Sequence, residues 1–138
     1  MPPDRFPPDD PREWLNRARS NLLRARAAPL GVYLEDPCFD AQQAAEKAVK
    51  GVMIARGIDF PYVHDLAELL TLLLEAGEEI PPSVRESARL TRYAIVTRYP
   101  GALESVTTEE YERAVAIAET VIAWAEERVR TGWGDSGR

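Results

Sequence analysis

Residues 39–50 read FDAQQAAEKAVK, and this run decides the fold because its small and polar side chains recur with the period of an α-helix. At 100° per residue, small side chains share one face of a helix through this region and polar side chains share the opposite face. The small face carries Ala41, Ala45, Ala48, Val52 and Ala55. The polar face carries Asp40, Gln43, Lys47 and Lys50. Because small residues let a second helix approach closely, the pattern predicts a helix packed within a bundle.

Start and stop signals bound this helix and predict four others. Asp36-Pro37 repeats the start signal of Asp10-Pro11, in which the aspartate caps the helix and the proline takes its first position. Gly57 can adopt the left-handed conformation that ends a helix, and no stretch alternates as a strand does. The predicted helices span residues 10–28, 36–56, 64–76, 83–97 and 107–130. Their short connections predict antiparallel neighbours, and therefore an all-α, up-and-down bundle of about five helices.

The third and fifth helices have the clearest apolar stripes. In the third, leucines at positions 66, 69, 70 and 73 follow the i, i+3, i+4, i+7 spacing. The fifth begins with a capping box, in which Thr107 is followed three residues later by Glu110, and it continues an apolar stripe to Val129. We therefore expect one domain over residues 10–130, a disordered or extended tail at residues 1–9 and a C-terminal tail at 131–138.

The composition is that of one folded domain without a cofactor. The chain has 138 residues, of which 45% are hydrophobic and 29% charged. Cys38 and His64 are the only cysteine and histidine, so one chain can form neither a disulfide nor a closed site of cysteine and histidine ligands for a metal. No glycine-rich phosphate loop or nucleophile elbow occurs. We expect no cofactor and no metal, and we interpret Cys38 as a packing residue.

Charge and hydropathy limit the classes of partner that this protein can have. No apolar run approaches the roughly 20 residues that cross a bilayer, and the first residues lack a secretory signal, so we expect no membrane contact and a cytoplasmic location. The net charge of -6 disfavours a protein that coats nucleic acid through bulk electrostatics, and we expect no binding of double-stranded DNA. Arginines nevertheless cluster at positions 12, 17, 19, 24 and 26 and again at 85, 89, 92 and 98. An acidic protein of this kind can still present a cationic surface to phosphate.

Several of these motifs together resemble the higher eukaryotes and prokaryotes nucleotide-binding (HEPN) family. The resemblance rests on residues 39–50, the later Gly57 and His64-Asp65-Leu66, and Arg98-Tyr99-Pro100, and it spans about residues 12 to 130. It implies an up-and-down bundle that pairs as a two-fold homodimer and is often encoded beside a minimal nucleotidyltransferase. Members of the family are proposed to bind nucleotides, and many are metal-independent ribonucleases in toxin–antitoxin and defence systems.

The ribonuclease branch of that family carries an arginine followed, after four to six residues, by a histidine. Here seven residues separate Arg56 from His64, and residues 92–100 contain no histidine. The sequence therefore favours a binding module over an enzyme, with His64 as the one candidate for a catalytic residue. Since His64 precedes Asp65 at the start of a helix, we expect it instead to fix that loop through a hydrogen bond.

The candidate nucleotide-binding residues lie on the second helix, on the fourth helix and directly after the fourth helix. Guanidinium groups suit phosphate and aromatic rings can stack on a base, while the amide and ammonium groups of the second helix add polarity and charge. The set comprises Gln43, Lys47, Lys50, Arg92, Tyr93, Arg98 and Tyr99. We expect these side chains to converge on one cleft that binds a nucleotide or RNA phosphate.

Two further expectations concern assembly and the alternatives. The small face of the second helix, with Val49 and Met53 exposed beside it, predicts a homodimer. A nucleotidyltransferase is the expected partner in a toxin–antitoxin-like system. Two alternatives remain open. One is a ribonuclease with a non-standard site around His64, and the other is an adaptor that presents its acidic third and fifth helices to another protein.

Overall fold

All regular structure is helical in the part of the chain that the computed structural model describes, residues 1–96 and 105–136. The elements are α1 (Pro11–Ala27), α2 (Glu35–Arg56), α3 (Leu66–Glu75), α4 (Pro82–Arg85), a 3-10 helix (Glu86–Leu90), α5 (Thr91–Val96) and α6 (Thr108–Ser136). The prediction of an all-α bundle is confirmed. None of the described helices combines the length and the apolar composition that crossing a bilayer requires.

Most helix ends follow the predicted signals. Asp10 accepts a hydrogen bond from the backbone N of Arg12 at 2.9 Å, and Gly57 ends α2 with a φ of 70°. At the start of α6, the backbone N of Glu110 donates to Thr107 Oγ1 at 3.0 Å while the Glu110 carboxylate accepts from Thr107. The capping box is therefore present as predicted.

The start of α2 differs from the prediction. Leu34 occupies the capping position without a side-chain hydrogen bond, and Asp36 lies inside the first turn. The backbone N of Asp36 donates instead to the Tyr33 carbonyl at 3.0 Å, so the chain already turns before the predicted cap. Asp36 and Glu35 still favour this helix start, because negative charge stabilises the N-terminal end of a helix.

The fourth predicted helix is divided into α4, the 3-10 helix and α5. Its buried side chains explain the change of winding: Val84, Ser87, Leu90 and Tyr93 are each at most 5% exposed and follow one another at intervals of three. A 3-10 helix has three residues per turn, so this winding holds such a set in line on one face. The predicted end of this segment, at Thr97, falls outside the described residues.

Helix α2 is the centre of the bundle and is buried almost all the way round. It packs against α1 and α6 and also contacts α3, the 3-10 helix and α5. Val49 and Met53 are fully buried in this packing, so the prediction that a monomer exposes them is wrong. Five neighbouring elements of the same chain cover the face predicted to form a subunit contact. The homodimer remains a prediction, without this support.

Both predicted tails have more structure than expected. Residues 4–8 form no helix or strand but are held against α1, because Asn16 Nδ2 and Trp14 Nε1 donate to the carbonyls of Asp4 and Pro8 at 2.9 and 2.7 Å. At the other end, α6 continues to Ser136, past the predicted boundary at residue 130. The helix there is close to a buried ion-pair cluster, in which Glu78 accepts hydrogen bonds from Arg56 at 2.9 Å and from Arg128 at 2.5 Å.

Candidate functional site

An open groove between the 3-10 helix and α5 on one side and α6 on the other has a volume of about 450 Å³. We call it the arginine groove. Its lining residues are Arg89, Leu90, Arg92, Tyr93, Glu110, Arg113, Ala114 and Ile117. Of the residues that the structure describes, three arginines and one glutamate thus surround an apolar floor, in a protein whose net charge is -6.

The winding of the 3-10 helix places the charges on this groove. Leu90 and Tyr93 point into the core. The adjacent residues Arg89 and Arg92 therefore lie on a separate, exposed strip of the helical surface. Glu86 lies one turn earlier on the same strip. Opposite it, α6 contributes Glu110 and Arg113, which are neighbours at i, i+3 spacing.

The charged side chains pair across the groove. Glu86 forms an ion pair with Arg113, and Glu110 Oε2 lies 4.0 Å from Nη1 of Arg92. Arg89 lies between the two pairs along its strip, and its side chain forms no ion pair with any residue that the structure describes. Within the described residues, the groove therefore presents one guanidinium without an ion pair, flanked by two that already face carboxylates.

Tyr93 forms a wall of the groove rather than an open stacking surface. Its side chain is almost fully buried, and the Arg92 guanidinium lies 5.2 Å from its ring centroid. Burial, with smaller contributions from Cys38 and other neighbours, raises the pKa of its phenol. Behind it, Cys38 is fully buried, and burial together with Glu110 and Glu35 raises the pKa of its thiol to about 12. The thiol is therefore neutral near pH 7, as the interpretation of Cys38 as a packing residue requires.

Lys47 and Gln43 of α2 lie elsewhere, and Lys47 contacts α1. Lys47 Nζ donates to Asn21 Oδ1 at 2.8 Å, and Asn21 in turn donates to Asp40 at 3.0 Å. Burial, followed by the charge of Arg17, lowers the pKa of Lys47, although Glu46 and Asp40 oppose this. Gln43 Nε2 donates to Gln42 Oε1 at 2.7 Å. Neither side chain lines the arginine groove.

Lys50 belongs to a third location, a buried cluster around Glu46 that we call the Glu46 cluster. Glu46 is 3% exposed, and its carboxylate accepts from Gln42 Nε2 and Lys50 Nζ, each at 2.8 Å. His64 Nδ1 lies 2.9 Å from Oε1, the same carboxylate oxygen that Gln42 contacts. Burial raises the pKa of Glu46, but the hydrogen bonds from Lys50, Gln42 and His64 outweigh it and hold that pKa below its ordinary value.

The Glu46 cluster fixes the orientation of the half-exposed His64 ring. An ionised carboxylate can only accept, so Nδ1 must carry the proton, and in the neutral ring Nε2 is left as an acceptor. His64 thus ties the loop before α3 to α2, as expected of a hydrogen-bonded loop residue. Its partner is Glu46, whereas Asp65 caps α3 by accepting from the backbone N of Ala67 at 3.0 Å.

The predicted cleft between the second and fourth helices is therefore not formed by the residues that the structure describes. Arg92 and Tyr93 line the arginine groove, while Lys47 and Lys50 are engaged in separate clusters. Arg98 and Tyr99 lie outside the described residues. Arg89 lies in the basic run from Arg85 to Arg98 but is not among the predicted site residues, and the sequence carries no signal for Arg113 because it lies in an acidic helix. Glu46 could have been found from the i, i+4 spacing of Gln42, Glu46 and Lys50.

Similar proteins place this architecture in a family. The crystal structure of TT1696 from Thermus thermophilus is 39% identical to this chain, with a TM-score of 0.74 over 86% of this chain and 97% of that one. An archaeal HEPN homologue, ST0689, is 26% identical, with a TM-score of 0.70 over 87% of this chain and 98% of that one. No curated protein matches the chain. The HEPN domain family model matches residues 11–128, and the chain belongs to this family.

Proposed function

We propose that this protein binds the phosphate groups of a nucleotide or of RNA in the arginine groove. The observation that carries the proposal is the convergence of Arg89, Arg92 and Arg113 on one groove of an acidic chain. A guanidinium group presents several N–H donors in a plane and can bind two phosphate oxygens at once. Clustered arginines facing the same opening therefore favour an anionic ligand with several oxygens.

The rest of the groove supports a ligand with an apolar part as well. A volume of about 450 Å³ is within the range of small-molecule sites in proteins, which is roughly 300–1,000 Å³. The floor of Leu90, Ala114 and Ile117 is apolar and suits the face of a base. Because Tyr93 is buried, we assign it to the wall and assign ligand binding chiefly to the arginines.

Calorimetric titration with ATP and with a short single-stranded RNA tests this proposal. Arg89→Ala and Arg113→Ala should each weaken binding about tenfold or more, since a hydrogen bond to a charged group contributes ~1.5–3 kcal/mol. Arg130→Ala is the matched control: Arg130 forms an exposed ion pair with Glu127 on the same helix, about 25 Å along α6 from Arg113. Absence of binding by the unmodified protein, or equal losses in all three variants, would contradict the proposal.

We also propose a homodimer that works with a minimal nucleotidyltransferase in a toxin–antitoxin-like system. Membership of the HEPN family supports this proposal. An exposed apolar surface at the turn between α1 and α2 supports a protein contact, because Leu30 and Tyr33 are 105% and 82% exposed. Such a partner, nucleotides and RNA would all be met in the cytoplasm. Light scattering of the protein alone and with the candidate partner tests the assembly. A protein that stays monomeric and does not bind the partner would contradict this proposal.

A metal-independent ribonuclease centred on His64 is the second candidate function. The observation in its favour is that Glu46 holds the His64 ring with Nε2 free to accept a proton from a substrate hydroxyl. Incubation of the purified protein with RNA in the presence of a chelator tests it. Cleavage that is lost in both His64→Ala and His64→Asn would support the enzyme, because asparagine can keep a donor towards Glu46 but cannot transfer the proton. Intact RNA would exclude it under those conditions.

A further inference from the structure

Two carboxylates, those of Glu86 and Glu110, already face guanidinium groups of the arginine groove. Arg113 already pairs with Glu86, and Arg92 faces Glu110 at 4.0 Å. Both pairs remain accessible, because the side chains of Arg92 and Arg113 are 49% and 60% exposed. A ligand that approaches either guanidinium must therefore compete with a carboxylate of the protein itself.

Glu110 is held in its competing position by the start of α6. Its Oε1 accepts from the Thr107 hydroxyl at 3.2 Å and from the Thr107 backbone N at 3.4 Å, which leaves Oε2 directed at Arg92. Because the capping box holds this carboxylate, moving it out of the groove would break its hydrogen bonds to Thr107. A ligand meets a fixed negative charge there rather than a mobile one.

Arg89 lies between these pairs and differs from its neighbours. It is exposed, and its side chain makes no ion pair with any residue in the described part of the chain. A single phosphate can bind Arg89, but it then lies between the carboxylates of Glu86 and Glu110, which repel it. A chain of linked phosphates can bind Arg89 and also reach a flanking arginine, where it competes with the carboxylate for that guanidinium.

We infer that Glu86 and Glu110 act as built-in competitors that make the arginine groove select linked phosphates over a single phosphate. This inference rests on the proposed function and adds a specificity that the arginines alone do not explain. The two carboxylates lower the affinity for every anion, but they penalise the single phosphate most because it cannot contact all the cations at once. Nucleoside di- and triphosphates and the backbone of RNA share the required chemistry.

The test uses inorganic anions, so that no base contributes. Orthophosphate and tripolyphosphate are titrated by calorimetry, in the presence of a chelator, into the unmodified protein and into the Glu86→Gln/Glu110→Gln double variant. Glutamine at position 110 can still complete the capping box, so this variant should retain the helix start. The single variants provide the same comparison should the double variant fail to fold. Glu127→Gln, which disrupts an exposed ion pair on α6 outside the groove, is the control.

We expect the unmodified protein to bind tripolyphosphate at least tenfold more tightly than orthophosphate. In the double variant the affinity for orthophosphate should rise more than that for tripolyphosphate, so that the ratio falls at least threefold, while Glu127→Gln leaves it unchanged. Equal affinities in the unmodified protein, or an unchanged ratio in the variant, would overturn the inference and leave the proposed function intact. If neither protein binds either anion, the proposed function fails and the inference fails with it.

Discussion

Replacement of Glu46 by alanine would leave the ammonium group of Lys50 buried without its carboxylate. Both side chains are less than 10% exposed, and the two charged atoms are 2.8 Å apart. Removing one partner of a buried ion pair costs about 3–5 kcal/mol, because the remaining charge is neither solvated nor paired. Gln42 and His64 lose an acceptor as well, so we expect the free energy of unfolding to fall by at least ~3 kcal/mol.

Urea denaturation followed by helical circular dichroism measures this loss. For a domain of this size a loss of that order is a large part of the total stability, which is ~5–15 kcal/mol. The control is the double variant Glu46→Gln/Lys50→Met, in which no unpaired charge is buried. It should recover much of the loss, since a buried ion pair replaced by uncharged side chains of similar volume is often neutral in stability.

The same cluster predicts a pH dependence. The folded-state pKa of Glu46 lies below its ordinary value, so its contribution to stability is present above the pKa of the unfolded state and is lost as the pH falls through the folded pKa. The difference in stability between the unmodified protein and Glu46→Gln should therefore shrink on acidification.

A loss below about 1 kcal/mol for Glu46→Ala at pH 7, or a double variant Glu46→Gln/Lys50→Met no more stable than Glu46→Ala, would refute the reasoning about the buried ion pair.

Three further predictions follow from other parts of the structure. The thiol of Cys38 should not react with a disulfide reagent at pH 8 in the folded protein and should react fully in urea, because burial and nearby carboxylates raise its pKa to about 12; fast reaction of the native protein would contradict this. Glu78→Gln should lower the free energy of unfolding by about 2 kcal/mol at pH 7, since Glu78 accepts charged hydrogen bonds from Arg56 and Arg128. Burial raises the pKa of Glu78, but the two arginines lower it by more, so its folded-state pKa lies below the ordinary value. The difference in stability between the unmodified protein and Glu78→Gln should therefore decrease as the pH falls through the folded pKa. A difference that is the same at pH 7 and pH 3, measured by urea denaturation, would count against the cluster. Deletion of residues 1–9 should lower the melting temperature, because three hydrogen bonds between this segment and α1 are lost, and an unchanged melting temperature would show that the segment does not stabilise the bundle.

The fold was largely predictable because local signals and burial agree in most of the chain. The leucines of α3 and the capping box at Thr107 specify their helices without help from distant residues. The burial of Val49 and Met53 was not predictable from their position on α2, since it depends on how many other helices surround that one. Likewise, the 3-10 winding becomes apparent only when Leu90 and its neighbours at intervals of three are known to be buried.

The candidate site was predicted only in part, for a related reason. Arg92 was recognised from its local basic run, and it does line the arginine groove. Arg113 could not be recognised, because it meets Arg92 only through the packing of α6 against the preceding helices. Lys47 is of a residue type that often binds phosphate, but its ammonium group donates a hydrogen bond to Asn21 of α1. Such a contact between helices cannot be predicted from the spacing of residues in the sequence.

The most direct test of the central claim is to observe the guanidinium groups of the arginine groove while a phosphate ligand is added. Nuclear magnetic resonance resolves the side-chain Nε–H signals of arginines, and ATP can be titrated into the labelled protein. We predict that the signals of Arg89, Arg92 and Arg113 shift together with one dissociation constant, while that of Arg130 stays in place. Signals of the three groove arginines that do not move, or that move no more than the Arg130 signal, would contradict the account.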